Sequence, residues 1–207
     1  MTKTLITVPM KDPRAAKTRL GDTLDDGGRR RLARLLYRRT LDFLRPIGRE
    51  SGAELAVVTG SAEAAQLARG AGFEVIEEDV ETTLSEAAGR AAEWASARGF
   101  ERLCIIPADL AAPDPADVLR LLSHEADVAI CPSVDRGTNA LLVAPPDAIS
   151  FRYGPNSATL HLAEAEANGL SAAMMPLESL SFDIDTSACL NRARSEAPEL
   201  FELAMTA

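Results

Sequence analysis

The sequence predicts an α/β fold, with a three-layer arrangement of helices on both faces of a mixed, mostly parallel sheet. Two observations carry this. Short β-rich runs alternate with helical segments along the 207-residue chain, the order that joins parallel strands through crossover helices. The early strands are continuous apolar runs rather than alternating ones, as burial on both faces demands.

The elements follow in order. TLITVP (4–9) reads as a buried first strand. RRRLARLLYRRTLDFLRPI is an amphipathic helix with Leu32, Leu35, Leu36 and Phe43 near one face and its arginines on a solvated one. ELAVVT (54–59) is a second strand, followed by a helix from about Ala62 to Arg69, and FEVIEE (73–78) is a third strand. TLSEAAGRAAEWASARG is an alanine-rich helix stopped by Gly99. RLCIIP (102–107) is a fourth strand, and DPADVLRLLSHE a short helix with Pro115 in its first turn. ADVAICP (126–132) and NALLVAP (139–145) are further strands. A helix at about Ser157 to Asn168, strand pieces SAAMMPL and LSFDI, and a C-terminal helix complete the chain. No linker, repeat or low-complexity segment interrupts the pattern, so residues 1–207 are expected to form one domain.

Hydrophobic residues make up 46% and charged residues 26%, which fits a soluble globular protein. The net charge of −9 argues against a general nucleic-acid surface but leaves room for a small anion in a local basic pocket. Cys104, Cys131 and Cys189 form no C-x-x-C pattern, and an odd count closes no disulfide set. Cys104 and Cys131 lie in apolar runs and read as buried thiols, which suits a reducing cytosol. The apolar part of MTKTLITVPMKDP is too short for a signal peptide, and no stretch reaches the length of a membrane span. A cytoplasmic protein without a membrane partner is expected.

In open α/β sheets ligands bind beyond the carboxyl ends of strands, and four segments stand there. VPMKDPRAAKTRLGD follows the first strand and carries Lys11, Arg14, Lys17 and Arg19. An exposed cationic loop of this kind can wrap a triphosphate and neutralise charge on a leaving pyrophosphate. It lacks the G-x-x-x-x-G-K-[ST] pattern of a P-loop. IIPADLAAPDP places Asp109 just after a strand, where a carboxylate can bind a metal ion bridging phosphates or merely cap a turn. In the third segment Gly137, Thr138 and Asn139 enter a strand, and Gly154, Asn156 and Ser157 open a helix whose free N–H groups would face an anion. Ser157 also reads as a simple helix cap, and His161, one turn along, as a packed or surface histidine.

The fourth segment, SLSFDIDTSACL, places Asp183 and Asp185 on one face of an extended chain. Two adjacent carboxylates repel, so they mark either a solvated strand end or a dication. With Asp109 they make three carboxylates beside a cationic loop, which suits Mg²⁺ and its preference for oxygen ligands and phosphates. No Cys/His cluster has zinc spacing.

VPMKDPRAAKTRL, PADL, RGTNALLVAPP, YGPNSATLHLAEA and FDIDT, in this order, resemble the 2-phospho-L-lactate guanylyltransferase family (CofC/FbiD) over nearly the whole chain. GTNALL together with G-x-x-S-x-x-x-H is the specific part. The resemblance implies a nucleotide-diphospho-sugar-transferase (GT-A-like) fold. It also implies transfer of GMP from GTP to 2-phospholactate, phosphoenolpyruvate or 3-phosphoglycerate, with release of pyrophosphate, in coenzyme F420 biosynthesis. By that resemblance Asp109, Asp183 and Asp185 hold Mg²⁺, and Thr138, Gly154 and Ser157 hold the phosphorylated acid, with Lys11, Asn139 and His161 counted among the substrate-binding residues. Lys17 and Arg19 stabilise the departing pyrophosphate. The acid's phosphate is already an anionic nucleophile, so no general base is required. The resemblance is compatible with a homodimer.

There are departures from the family pattern. Leu84-Ser85 stands where a Leu-Asn pair is usual, PADLAAP replaces the commoner aDLPLL form, and Ala158 replaces an aromatic residue after the serine. The alternatives are a related nucleotidyltransferase or glycosyltransferase acting on a sugar or molybdopterin-like acceptor, and a non-catalytic nucleotide-binding protein.

Overall fold

The structure, a computed structural model, describes residues 2–79 and 82–196. Its centre is a seven-stranded sheet of order β3-β2-β1-β4-β6-β5-β7. The strands are β1 (Thr4–Pro9), β2 (Glu54–Thr59), β3 (Glu74–Glu77), β4 (Arg102–Ile105), β5 (Val128–Pro132), β6 (Thr138–Val143) and β7 (Ala172–Met174). The β1–β2, β1–β4, β2–β3 and β5–β7 pairs are parallel, and β6 runs antiparallel to both β4 and β5. The sheet is therefore mixed and mostly parallel, as the alternating pattern predicts.

Successive residues of each central strand face opposite helical layers. Ile6, Val8, Val57, Cys104 and Leu142 pack under helices α1 (Asp26–Ser51), α2 (Ala62–Gly70) and α4 (Pro115–Leu122). Leu5, Ala56, Val58, Leu103 and Ile105 face α3 (Leu84–Ala97) on the other side. Further along that side, Val128, Ile130, Leu141 and Val143 face α5 (Ser157–Ala167). The alanines of α3, Ala87, Ala88, Ala91, Ala92 and Ala95, are all buried, and their small side chains let the helix lie close on the sheet.

Local chemistry fixes the helix ends. Asp25 caps α1 by accepting from Gly28 N, and Thr83 and Glu86 form a reciprocal capping box on α3. Asp114 caps α4, with Pro115 at its first position. Gly99 follows α3 at φ 69°, and Phe100 N returns to Ala95 O, the left-handed stop expected of a glycine there.

Some expectations shift. The buried face of α1 is formed by Leu32, Leu36, Tyr37, Leu41, Leu44 and Ile47, with Leu35 and Phe43 only half-buried at its margin. The arginines of α1 include ion pairs from Arg30 and Arg34 to Glu63. LSFDI forms no strand. Leu180 ends a short 3-10 turn, and Asp183 makes a single antiparallel bridge to Leu110. The C-terminal helix is α6 (Ser187–Glu196).

Candidate active site

The sheet places its chemistry at one edge. The carboxyl ends of β1 and β4 point there, and because β6 is antiparallel, its amino end arrives at the same edge. A cavity of about 650 Å³ opens at this edge. Its lining includes Lys11, Lys17 and Arg19 after β1, Asp109 after β4, and Thr138 and Asn139 at the start of β6. Gly154, Ser157, Asp183 and Asp185 complete the set gathered from distant parts of the chain. The volume lies in the range of small-molecule sites.

The acidic cluster is built on backbone. Ala111 N donates to Phe182 O (3.0 Å), and Ile184 N donates to Asp109 O (3.1 Å). These bonds clamp the loop after β4 to the D-x-D segment. Ile184, between the two aspartates, is fully buried with Leu20, Leu36, Ala111 and Leu190, so Asp183 and Asp185 are turned to the opposite side, toward the cavity. Carboxylate oxygens of Asp109, Asp183 and Asp185 all lie within 4.8 Å of one another. At an effective dielectric near 20, each like-charged pair at that distance costs about 3 kcal/mol, so the cluster favours a neighbouring cation or the uptake of a proton.

Lys17 supplies the cation. Its Nζ donates to Asp109 Oδ2 at 2.5 Å and to Asp185 Oδ1 at 2.9 Å. Its side chain is only 5% exposed, which corrects the expectation of an exposed loop lysine. Burial opposes the charge, but the two carboxylates outweigh it and hold the ammonium above the ordinary lysine range. Arg19 stands further out, with Nη1 3.7 Å from Asp185 Oδ2. Among the described residues no cation lies within ion-pairing distance of Asp183. Burial, together with the charges of Asp109 and Asp185, pushes its carboxyl up to about 6. Asn139 reaches it weakly, donating to Leu180 O at 3.0 Å and lying 3.5 Å from Asp183 Oδ1. Arg14 does not join the cavity lining; it is paired with Asp12 and largely exposed.

The opposite wall departs from the expected anion-binding helix end. Asn156, not Ser157, occupies the cap position of α5, at φ 58° and without a side-chain cap bond. The first amides of the helix are already engaged: Ser157 N with Gly154 O, Ala158 N with Arg136 O, and Thr159 N with Asn156 O. They are therefore not free to receive an anion. Thr138 and Ser157 line the cavity there. Ser157 Oγ donates to Thr138 Oγ1 at 3.0 Å, and His161 Nδ1 lies 3.0 Å from the same oxygen. His161 is fully buried behind Thr138 and is not part of the cavity lining.

Residues that sequence reasoning did not single out also line the cavity. Tyr153 packs edge-on against His161, with ring centroids 5.2 Å apart, and its backbone N–H donates to Ser85 Oγ at 2.9 Å. Asp135 accepts from Ser133 Oγ and from Gly137 N, shaping the turn before Thr138. A Cβ on Gly137 would meet Ser133 Oγ at 2.8 Å, which explains a glycine there. The D-R-G run before a strand is the signal that could have found this turn.

Comparison with known proteins bears on the family and the fold. Residues 4–193 match the family model described as guanylyl transferase CofC like. The chain is 36% identical over 189 residues to a 3-phospho-D-glycerate guanylyltransferase of Colwellia psychrerythraea, covering 89% of this chain and 88% of that protein. It is 35% identical over 189 residues to a phosphoenolpyruvate guanylyltransferase of Rubrobacter xylanophilus, covering 89% and 90%. Among solved structures, a putative nucleotide-diphospho-sugar transferase from Desulfovibrio desulfuricans G20 superposes with a TM-score of 0.74 at 19% identity, covering 99% of both chains. The fold is therefore that of the nucleotide-diphospho-sugar transferases.

Proposed function

The chain belongs to the CofC-like guanylyl transferase family, and on that premise we propose that it transfers GMP from GTP to a small phosphorylated acid. The acceptor is 2-phospholactate, phosphoenolpyruvate or 3-phosphoglycerate, and the product feeds coenzyme F420 assembly. The whole chain acts as one nucleotidyltransferase domain in the cytoplasm. The observation that carries the reading is the meeting, in one cavity, of a three-carboxylate cluster and Lys17 with the hydroxyl-lined wall at Thr138.

In this reading the acid's phosphate oxygen attacks the α-phosphorus of GTP. A new P–O–P bond forms, the α–β bond breaks, and pyrophosphate leaves with the electron pair. The nucleophile is already anionic, so catalysis consists of positioning and charge compensation. The cluster fits a divalent ion: three carboxylates converge within 4.8 Å, and the Lys17 ammonium already bridges two of them, Asp109 and Asp185, as a stand-in cation. Asp109, Asp183 and Asp185 would hold Mg²⁺, which supplies charge neutralisation at the nucleotide phosphates. Lys17, Lys11 and Arg19 contribute positive charge for the departing pyrophosphate. Gly154, Thr138 and Ser157 shape the acid's pocket, with Asn139 steadying Asp183.

The test is pyrophosphate release with GTP, Mg²⁺ and a panel of phosphorylated three-carbon acids, with ATP, CTP and UTP and with sugar phosphates as controls. Release with GTP and at least one acid is expected. Release only with sugar phosphates, or nucleotide binding without release, would overturn the reading.

A further inference from the structure

We infer that His161 is a positioning residue: it directs the Thr138 hydroxyl proton into the cavity, toward an anionic oxygen of the acceptor. The inference rests on the proposed acid-binding role of that wall and extends it to a residue that never touches the ligand.

The backbone N–H of Arg152 donates to His161 Nε2 at 2.9 Å. An amide can only donate, so Nε2 carries a lone pair, and the ring is neutral with its proton on Nδ1. That Nδ1–H lies 3.0 Å from Thr138 Oγ1 and must donate to it. Ser157 Oγ donates to the same oxygen, also at 3.0 Å. Both lone pairs of the Thr138 hydroxyl are then filled, and its own hydrogen has to be given away. Among the described residues no protein acceptor takes it, and Thr138 faces the cavity.

The ring cannot easily turn to escape this arrangement. It is fully buried, with Tyr153 packed edge-on at 5.2 Å and Phe151 at 6.5 Å between centroids. Meanwhile the first amides of α5 are consumed by protein carbonyls. The Thr138 hydroxyl is thus a donor of fixed direction, and it selects a group that only accepts, such as a phosphate or carboxylate oxygen. Ser157 serves as a donor to Thr138 rather than to the ligand.

Two measurements test this. The first uses chain labelled with ¹⁵N in the histidine rings, with His124→Asn to assign the signals. Two-bond ¹H–¹⁵N correlations at neutral pH should show His161 neutral and protonated at Nδ1. A ring protonated at Nε2, or exchanging between tautomers, would overturn the proposal.

The second is a double-mutant cycle on the KM for the acid, with kcat and the Kd for GTP measured alongside. Thr138→Val should raise the acid's KM by about tenfold or more, and His161→Phe by a smaller factor. In the double variant His161→Phe should add nothing, because its effect passes through Thr138. His161→Asn retains an N–H near the Nδ1 position and should recover most of the loss; it also carries the comparison if the phenylalanine variant folds poorly. Multiplying effects in the double variant, or an equal fall in GTP affinity, would show His161 to be merely structural. Wild-type protein that turns over none of the acids counts against guanylyl transfer itself, whereas the wrong tautomer or a multiplicative cycle counts against the relay alone.

Discussion

The ammonium of Lys17 lies 2.5 Å from Asp109 Oδ2, across 92 residues of sequence. Lys17 reaches it from a left-handed backbone, φ 58°, a conformation that costs a non-glycine residue about 1 kcal/mol. The contact with Asp185 on its other side completes a buried cation held between carboxylates. A dication held by the three carboxylates would address the same oxygens as Lys17, so binding one would weaken the hold of the other.

Lys17→Met tests that competition. Removing the ammonium leaves the carboxylates facing one another, and a loss of about 2 kcal/mol is expected. That is less than for a fully buried pair, because Asp109 and Asp185 stay partly exposed. Added Mg²⁺ should then raise the melting temperature of the variant more than that of the wild type, because no ammonium has to be displaced. Calorimetry in EDTA and in millimolar Mg²⁺ reads both effects. An equal or smaller Mg²⁺ shift in the variant would show that Lys17 and the metal do not share a site.

Asp183→Asn and Asp185→Asn should each lower turnover by roughly a hundredfold or more, since each removes a charge facing the reacting phosphates. Their stabilities should diverge. Asp185 is paired with Lys17 and loses that contact on substitution. Among the described residues no cation pairs directly with Asp183, and burial beside Asp109 and Asp185 outweighs the pull of Lys17 on its charge. Asp183→Asn should therefore melt higher than wild type in EDTA at pH 7. Near wild-type turnover in either variant would remove that residue from the metal cluster.

The turn at Gly137 carries Thr138 into β6. A methyl group there would meet Ser133 Oγ at 2.8 Å and Asp135 Oδ1 at 3.2 Å. Gly137→Ala must push these aside, costing about 1–3 kcal/mol, and should shift Thr138. An increased KM for the acid, with GTP affinity little changed, is the expected pattern. Unchanged kinetics would mean that the turn can yield without moving the hydroxyl.

Much of this arrangement was legible in the sequence, because its signals are local. Continuous apolar runs marked the strands, and Gly99 and Pro115 marked helix ends. Asp109, Asp183 and Asp185 followed apolar runs, where ligand-binding residues collect. The antiparallel course of β6 was not seen, although only 133–137 separate it from β5. So short a connection cannot make a parallel crossover and could have revealed the reversal. LSFDI read as a strand because it is apolar, yet its backbone partner is the loop at Leu110, which no periodicity encodes. Ser157 read as a cap because serine often is one, but a left-handed Asn156 took that position. The bond between His161 and Thr138 spans 23 residues and depends on a tautomer set by the Arg152 backbone, which composition cannot announce.

The same buried groups make a pH prediction in which two effects oppose each other. His161 is held down to about 4, first by burial and then by Arg152, with Glu164 acting the other way. Its unfolded value is near 6.5, so between those limits the unfolded chain binds the extra proton. His161 therefore removes stability as pH falls from about 6.5 to 4. Asp183 is pushed up to about 6 from 3.8 by burial, Asp109 and Asp185, against the pull of Lys17. There the folded chain binds the extra proton, so Asp183 adds stability as pH falls from about 6 to 3.8. Each slope approaches about 1.4 kcal/mol per pH unit, and over pH 4–6 they largely cancel. Asp12, held down to about 2 mainly by Arg14, loses its contribution only below that window. In EDTA, Asp183→Asn should consequently expose a steep loss of stability from pH 6 to 4, and adding His161→Asn should flatten it again. Denaturant melts of the wild type, Asp183→Asn and the double variant at half-unit pH steps measure this directly. Parallel stability curves for all three would mean that neither group titrates differently on folding.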